Sequence, residues 1–579
     1  MTHSSAKSIG DRIIHAGIVV AAAHLFLKLT GLIQAKAAAQ FLAPHEYEII
    51  FAMAFTNGVF SLFLIGEEVI GPCFLPVFMR QVDDGSEEGG WGFANAVLTL
   101  QGILLLVVVA VVMCFPDLMV RLLTEWTAEG DPANYGLLRT SLVILAPSLF
   151  FLSLGSTTYM LLNGYRKFFL AAFGDASWKI CVVIALIVGI GIFHWDARAL
   201  MFGLLIGSAA KLGTHLVGLA SKLRFARLSL HWRSPAMKTF ALLMLPLIAG
   251  ILFAKFRDIF NNVRILTHIQ DQPGIIQAND LGRKLFASIS WMVPYALQIA
   301  LFPFLCELVD RNDRQELGRI LTQSCRLLLA IFIPGSVLLA VLAEPISVIL
   351  FLGGETGLQV ALWTGVSMAC YLLVLPAAAV ECVLMQGYFA DRRMLSVTLI
   401  GIGTSLVSVV ISYVGIARME AQAMAALIIV SLGFAVSRWI KSGVLIAVLK
   451  RTVPMFPARQ SLFFFIRLLL LAAIVGAVAW GVDGVLDVMW PDGLAEARQE
   501  LADVSPEMAV VSAGQFSGTL NRMLLLTKLV LAAAAGGVAF LLGAILLQIR
   551  EPLDMVNWVL TRMGRNPNPP EADEEPDAP

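Results

Sequence analysis

"FLPVFMRQVDDG" (Phe74–Gly85) returns in the second half of the chain as "LFPFLCELVDRND" (Leu301–Asp313), with Pro76 matching Pro303. A second pair, "LLNGYRK" (Leu161–Lys167) and "LMQGYFA" (Leu384–Ala390), falls at nearly the same offset. Each pair occupies the same place among the apolar runs, the end of the second run and then of the fourth. The chain therefore reads as two six-span repeats followed by two further spans. Because six is even, both repeats insert the same way up, related by an axis along the membrane normal. Parallel transporter repeats have this arrangement, and such duplicated bundles enclose a path between their halves.

The runs themselves are membrane spans. Of 579 residues, 58% are hydrophobic and 14% charged, and mean hydropathy is +0.81. A span needs about 20 apolar residues to cross about 30 Å of hydrocarbon, and about fourteen runs qualify, starting near residues 12, 47, 91, 137, 167, 197, 237, 278, 319, 357, 395, 420, 461 and 522. The seventh, Phe240–Ile265, is the least clean. The expected fold is an all-α polytopic membrane protein with two six-helix lobes, residues 1–235 and 236–458, and two more helices within 459–550. Residues 488–521 form a polar external loop with helical spacing in its first half. The tail, 551–579, is expected to be disordered from about residue 564, being Pro-rich and acidic.

Formal net charge is zero, but Lys and Arg are unevenly spread. With a cytoplasmic amino terminus, inner loops and tails hold about 21 of them against about 6 outside, the positive-inside pattern. The most basic inner loop is "SKLRFARLSLHWRSPAMK" (Ser221–Lys238). Both termini are expected in the cytoplasm, and the protein in a bacterial inner membrane. No short apolar region with a small-residue cleavage site precedes the first span, so that span reads as retained. The seven cysteines lie in or beside apolar runs without C-x-x-C spacing, which points to neither a disulfide framework nor a metal site.

Ionisable residues inside spans concentrate in the first, second, seventh and eighth, the first two of each repeat. His24 and Lys28 share a helical face, and Lys36 lies within about a third of the circumference of it. Lipid tolerates no such stripe, so it should face an interior cavity. Glu67 and Glu68 follow the flexible Ile65–Gly66. Either acid could neutralise Lys28 or act as a proton or gating switch. "AKFRDIFNNVR" puts Arg257, Asn261 and Arg264 at i, i+4, i+7, with Lys255 and Asp258 as an expected pair. The eighth span opens with Arg283 and Lys284. Asp175 and Lys179, four apart in the fifth, read as a packing pair. A space lined by these helices is cationic, and its natural guest is an anion; Arg suits phosphate oxygens through its planar fork, Lys as a point charge.

Enzyme chemistry has little support. There is no G-x-x-x-x-G-K-[ST] loop, no H-E-x-x-H and no large soluble domain to hold a glycosyl donor. A non-enzymatic role without a cofactor is expected, and ATP-driven transport by this chain alone is disfavoured.

With these residues in view, the sequence resembles the MviN/MurJ family of lipid II flippases, in the superfamily that also holds O-antigen flippases and multidrug antiporters. "LKLTGLIQAK" is similar to the family's first-span Ser-Arg-x-x-Gly-x-x-Arg: Lys28 stands at the first Arg, Gly31 is kept, Gln34 takes the second, and Lys36 lies two residues on. "EEVIGPCFLP" resembles Glu-Gly-Ala-Phe-x-x-x-Phe-x-Pro, aligning Glu67 with the acid and Pro76 with the proline. An Arg opening the family's eighth span falls on Lys284, beside Arg283. "LFLGGETG" (Leu350–Gly357) and "GYFADRR" (Gly387–Arg393) resemble the turns flanking its tenth span. Leu62 replaces an Arg near the acid, and "SVTLIGIGTSLVSVVIS" lacks the Asn or Asp of a sodium site that some relatives have.

The resemblance implies alternating access, with a central cationic cavity carrying a lipid-linked sugar pyrophosphate while its polyprenyl tail stays in lipid, against a groove on the last two spans. It places Lys28, Lys36, Glu67, Arg283 and Lys284 among the substrate contacts, to which the charged face of the seventh span adds Arg257 and Arg264. Partners are the lipid-linked glycan and membrane lipid, with no nucleic acid. A monomer is expected, open to association with cell-wall synthesis enzymes. Other readings are a flippase for a different lipid-linked oligosaccharide, a multidrug or cation antiporter, and a non-transporting membrane scaffold.

Overall fold

The computed structural model describes residues 26–84, 87–165, 167–269, 273–290, 301–302, 304–391, 393–418, 422–503, 521–549 and 551. Every regular element among them is a helix. Eleven helices are long and apolar enough to cross a membrane, and a twelfth crossing is made by Pro235–Leu245 and Leu247–His268, bent by 41°. The first and eighth runs are described only in part, as helical residues 26–41 and as Ile275–Ser290 with helical 304–310. His24 and the tail from residue 552 lie outside the described residues.

Several spans start where the sequence supplies a cap. Side chains of Asp131, Ser234, Asp313 and Asn521 accept from the backbone N–H three residues on, at 3.4, 3.3, 3.0 and 3.2 Å. These bonds satisfy donors that a first helical turn leaves orphaned. Two short helices, Pro116–Leu123 and Ala343–Phe351, lie between the third and fourth and between the ninth and tenth spans. Their equivalent positions extend the internal repeat seen in sequence.

Packing follows the two sets of spans. The second to sixth pack on one another, as do the eighth to twelfth. The seventh joins the sets by packing against the second on one side and the eleventh on the other. The thirteenth, Ala458–Met489, and fourteenth, Arg522–Leu546, pair together and lean on the ninth. Between them in the chain Leu494–Asp503 is a helix, as its spacing predicts, and its Ala497 is buried with Leu525 and Val348.

Candidate functional site

At the end of the bundle that carries Pro44, the second and eighth spans are locked together. Glu48 Oε1 accepts from the backbone N–H groups of Gly274, Ile276 and Gln277 at 2.9, 2.7 and 3.2 Å, so a carboxylate of one span caps another. One turn along, Tyr47 donates to Asp280 at 2.8 Å, and Lys284 donates to the same Asp280 oxygen at 2.6 Å and to the Tyr47 hydroxyl at 3.2 Å. The "GGET" turn closes over this end. Glu355 N–H donates to the Gln40 carbonyl, and Thr356 bonds both the Ala39 carbonyl and Gln277. Gly354 is required there: its φ is +61°, and a Cβ would stand 2.1 Å from the Gln40 oxygen.

Deeper in, lysines from four spans converge. Lys28, Lys211 and Lys284 all lie close enough for their charges to act on Lys179. Lys179 Nζ donates to the Leu27 carbonyl at 3.2 Å and passes beside Gly31, where a Cβ would sit 3.2 Å from that nitrogen. Gly31 thus gives a cation of the fifth span access to the first. Asp175 does not pair with Lys179 as its spacing suggests; it holds Lys211 of the sixth span at 2.6 Å. Glu67 faces the same group, within Coulombic reach of Lys211, Asp175 and Lys255. Its neighbour Glu68 takes Lys255 at 2.6 Å, which replaces the expected Lys255–Asp258 pair and ties the second span to the seventh.

Asp258 serves two arginines instead. It accepts from Arg257 and from Arg283, each at 2.7 Å. Arg257 is buried and reaches Ser405 of the eleventh span, while Asn261 one turn on bonds Ser408. Opposite, Glu381 of the tenth span holds Arg438 and Lys441 of the twelfth. The guanidiniums of Arg257, Arg283 and Arg438 stand 4.9, 5.8 and 5.1 Å from the centre of one ring, Phe434. Cations gather at an aromatic face because its quadrupole is negative there.

Two expected site residues stand elsewhere. Arg264 does not share a face with Arg257, because Phe260–Arg264 winds as a π turn and shifts the phase that i+7 spacing assumes. Its guanidinium instead binds the carbonyls of Arg121, Leu122 and Thr124 at the end of the short helix Pro116–Leu123. Lys36 is exposed and follows the face of Phe26, Leu29 and Ile33, also exposed, rather than the half-buried Lys28.

The family model described as lipid II flippase MurJ matches residues 43–494. The chain belongs to the MurJ family. A relative from Rhizobium meliloti, described as a probable lipid II flippase MurJ, is 24% identical over 56% of this chain and 61% of its own length. The chain thus spans about three fifths of the length of the first curated relatives it matches. In fold it is similar to a solved lipid II flippase MurJ in an inward closed conformation, with TM-score 0.66 at 18% identity, over 92% of this chain and 99% of that one. A multidrug resistance MATE family transporter of the MOP superfamily, inward-facing, gives TM-score 0.59 at 13% identity over 75% and 99%.

Within this MurJ-family fold, the sequence reading missed Glu48, Lys211, Glu381, Arg438 and Lys441. Each is an ionisable residue inside a span, a signal in its own right. Lys211, Glu381, Arg438 and Lys441 lie in the sixth, tenth and twelfth spans, outside the first two of each repeat where the in-span charges concentrate, and Glu48 lies at the start of the second.

Proposed function

We propose that this chain is a flippase that carries a polyprenyl-pyrophosphate-linked glycan, a lipid II-like peptidoglycan precursor, across the bacterial cytoplasmic membrane by alternating access. The observation that carries the reading is the convergence of Lys28, Lys179, Lys211 and Lys284 from four spans of a MurJ-family chain. A pyrophosphate leaving water needs cations and donors to replace its hydration, and lysines inside a bundle supply both. Lys28, Lys284 and Arg283 are the contacts assigned to the cargo, with Glu67 balancing Lys211. Arg257 contributes through Asp258, which it shares with Arg283. With both termini cytoplasmic, the Pro44 end is external, and Glu48, Lys284 and the "GGET" turn close the outer mouth. The cargo enters from the cytoplasmic side. The two lobes, residues 1–235 and 236–458, then rock about the seventh span, which packs against both.

A cation antiporter is the second reading, supported by the MATE fold likeness. The excess of cations argues against it, since a cationic cargo would be repelled. The deciding experiment replaces an essential lipid II flippase by this gene in a depletion strain. Growth and outward appearance of labelled lipid II are expected. Lysis on depletion with the protein present in the membrane would refute the reading.

A further inference from the structure

The group around Phe434 carries more positive charge than its own acids balance. Arg257 and Arg283 share Asp258, and Arg438 and Lys441 share Glu381, so among the described residues four cations face two carboxylates. The neighbouring charges do not remove the excess, because Lys284 is matched by Asp280 and Lys255 by Glu68. Both acids are shielded, with side-chain exposures of 14% for Asp258 and 8% for Glu381, whereas Arg283 and Arg438 keep 29% and 26%. The buried Nε–H of Arg438 also meets no acceptor among the described residues. Two surplus charges in a membrane interior are costly, and an unpaired buried donor adds to that cost. A further anion beside the exposed edges of Arg283 and Arg438 offsets that surplus.

We propose that Arg257, Arg283, Arg438 and Lys441, around the Phe434 ring, form an oxyanion site for a phosphate- or carboxylate-type group, which adjoins the lysine cluster and shares Arg257 and Arg283 with the cargo contacts assigned above. Arg283 and Arg438 offer the accessible donors; Arg257 and Lys441 add charge from behind. Three guanidiniums beside one ring favour a group with several oxygens, because each planar fork can take two of them. The oxyanion comes either from a second acidic group of the cargo, a source that rests on the flippase reading, or from a free inorganic ion.

The test uses the purified full chain in detergent, with inorganic phosphate replacing chloride at constant ionic strength and thermal unfolding as the readout. Wild-type protein should show a saturable rise in melting temperature. Arg438→Gln should raise the half-saturating phosphate concentration at least tenfold, and Arg438→Lys less. Should Arg438→Gln fail to fold, Lys441→Gln serves, with the same direction. A wild-type response that never saturates, or equal half-saturation in wild type and variant, overturns the site. Lipid-linked disaccharide pyrophosphates with and without a carboxylate-bearing peptide are then added as competitors of phosphate. Displacement by the peptide-bearing lipid alone supports the cargo as the source; displacement by neither supports the free ion. A saturable response from a chain that fails to replace a lipid II flippase would keep the site and remove the transport reading.

Discussion

Removing the Glu48 carboxylate should open the Pro44 end. Its Oε1 is the acceptor for three backbone donors at the start of the eighth span, two of them at 2.7 and 2.9 Å and the third at 3.2 Å. Each buried donor stripped of its acceptor costs about 1–3 kcal/mol. With the two shorter bonds counted at the low end, Glu48→Ala should weaken the closed state by about 2 kcal/mol, about 30-fold in the equilibrium. Glu48→Gln keeps an acceptor oxygen but gives up the charge that a helix start favours, so its effect should be smaller. Spin labels on cysteines at the exposed positions His45 and Glu355, in a background without native cysteines, report the distance across this end by double electron–electron resonance. The population at longer distance should increase from wild type to Glu48→Gln to Glu48→Ala. Identical distributions in all three proteins would refute the assignment of Glu48 as the clasp.

At Lys28, charge rather than shape should be required: Lys28→Arg should retain most complementation and Lys28→Gln should lose it, and adding Glu67→Gln should not rescue the latter, since Glu67 lies among Lys211, Asp175 and Lys255. Arg264→Ala should keep transport while lowering the melting temperature by several degrees, because its contacts are the carbonyls ending Pro116–Leu123; loss of flipping by stable, abundant protein would show a role in the path. Lys211→Met should cost about 3–5 kcal/mol by stranding Asp175 without its partner, and the double change with Asp175→Leu should recover most of the membrane-inserted yield. If both termini are cytoplasmic, an impermeant thiol reagent applied to intact cells should label a cysteine near Gln499 and spare one in the Ser221–Lys238 loop.

Much was decided by sequence alone. The crossings, their order and the internal repeat follow from hydrophobic length and repeated motifs, because a bilayer forces each crossing to satisfy its backbone within its own helix. Charges inside those crossings could likewise be read as functional, since lipid would expel them. Their partners could not. Helical spacing paired Asp175 with Lys179 and Lys255 with Asp258, but Asp175 found Lys211 and Lys255 found Glu68 on other spans, while Asp258 took Arg283 of the eighth span together with its own neighbour Arg257. A π turn of five residues rotated Arg264 out of the face that an ideal helix gives it, and so sent it to Arg121. Glu48 capping a helix some two hundred residues away, and three arginines around Phe434, depend on which spans lie side by side. Spacing along one helix fixes its faces; only the packing of helices determines what each face meets.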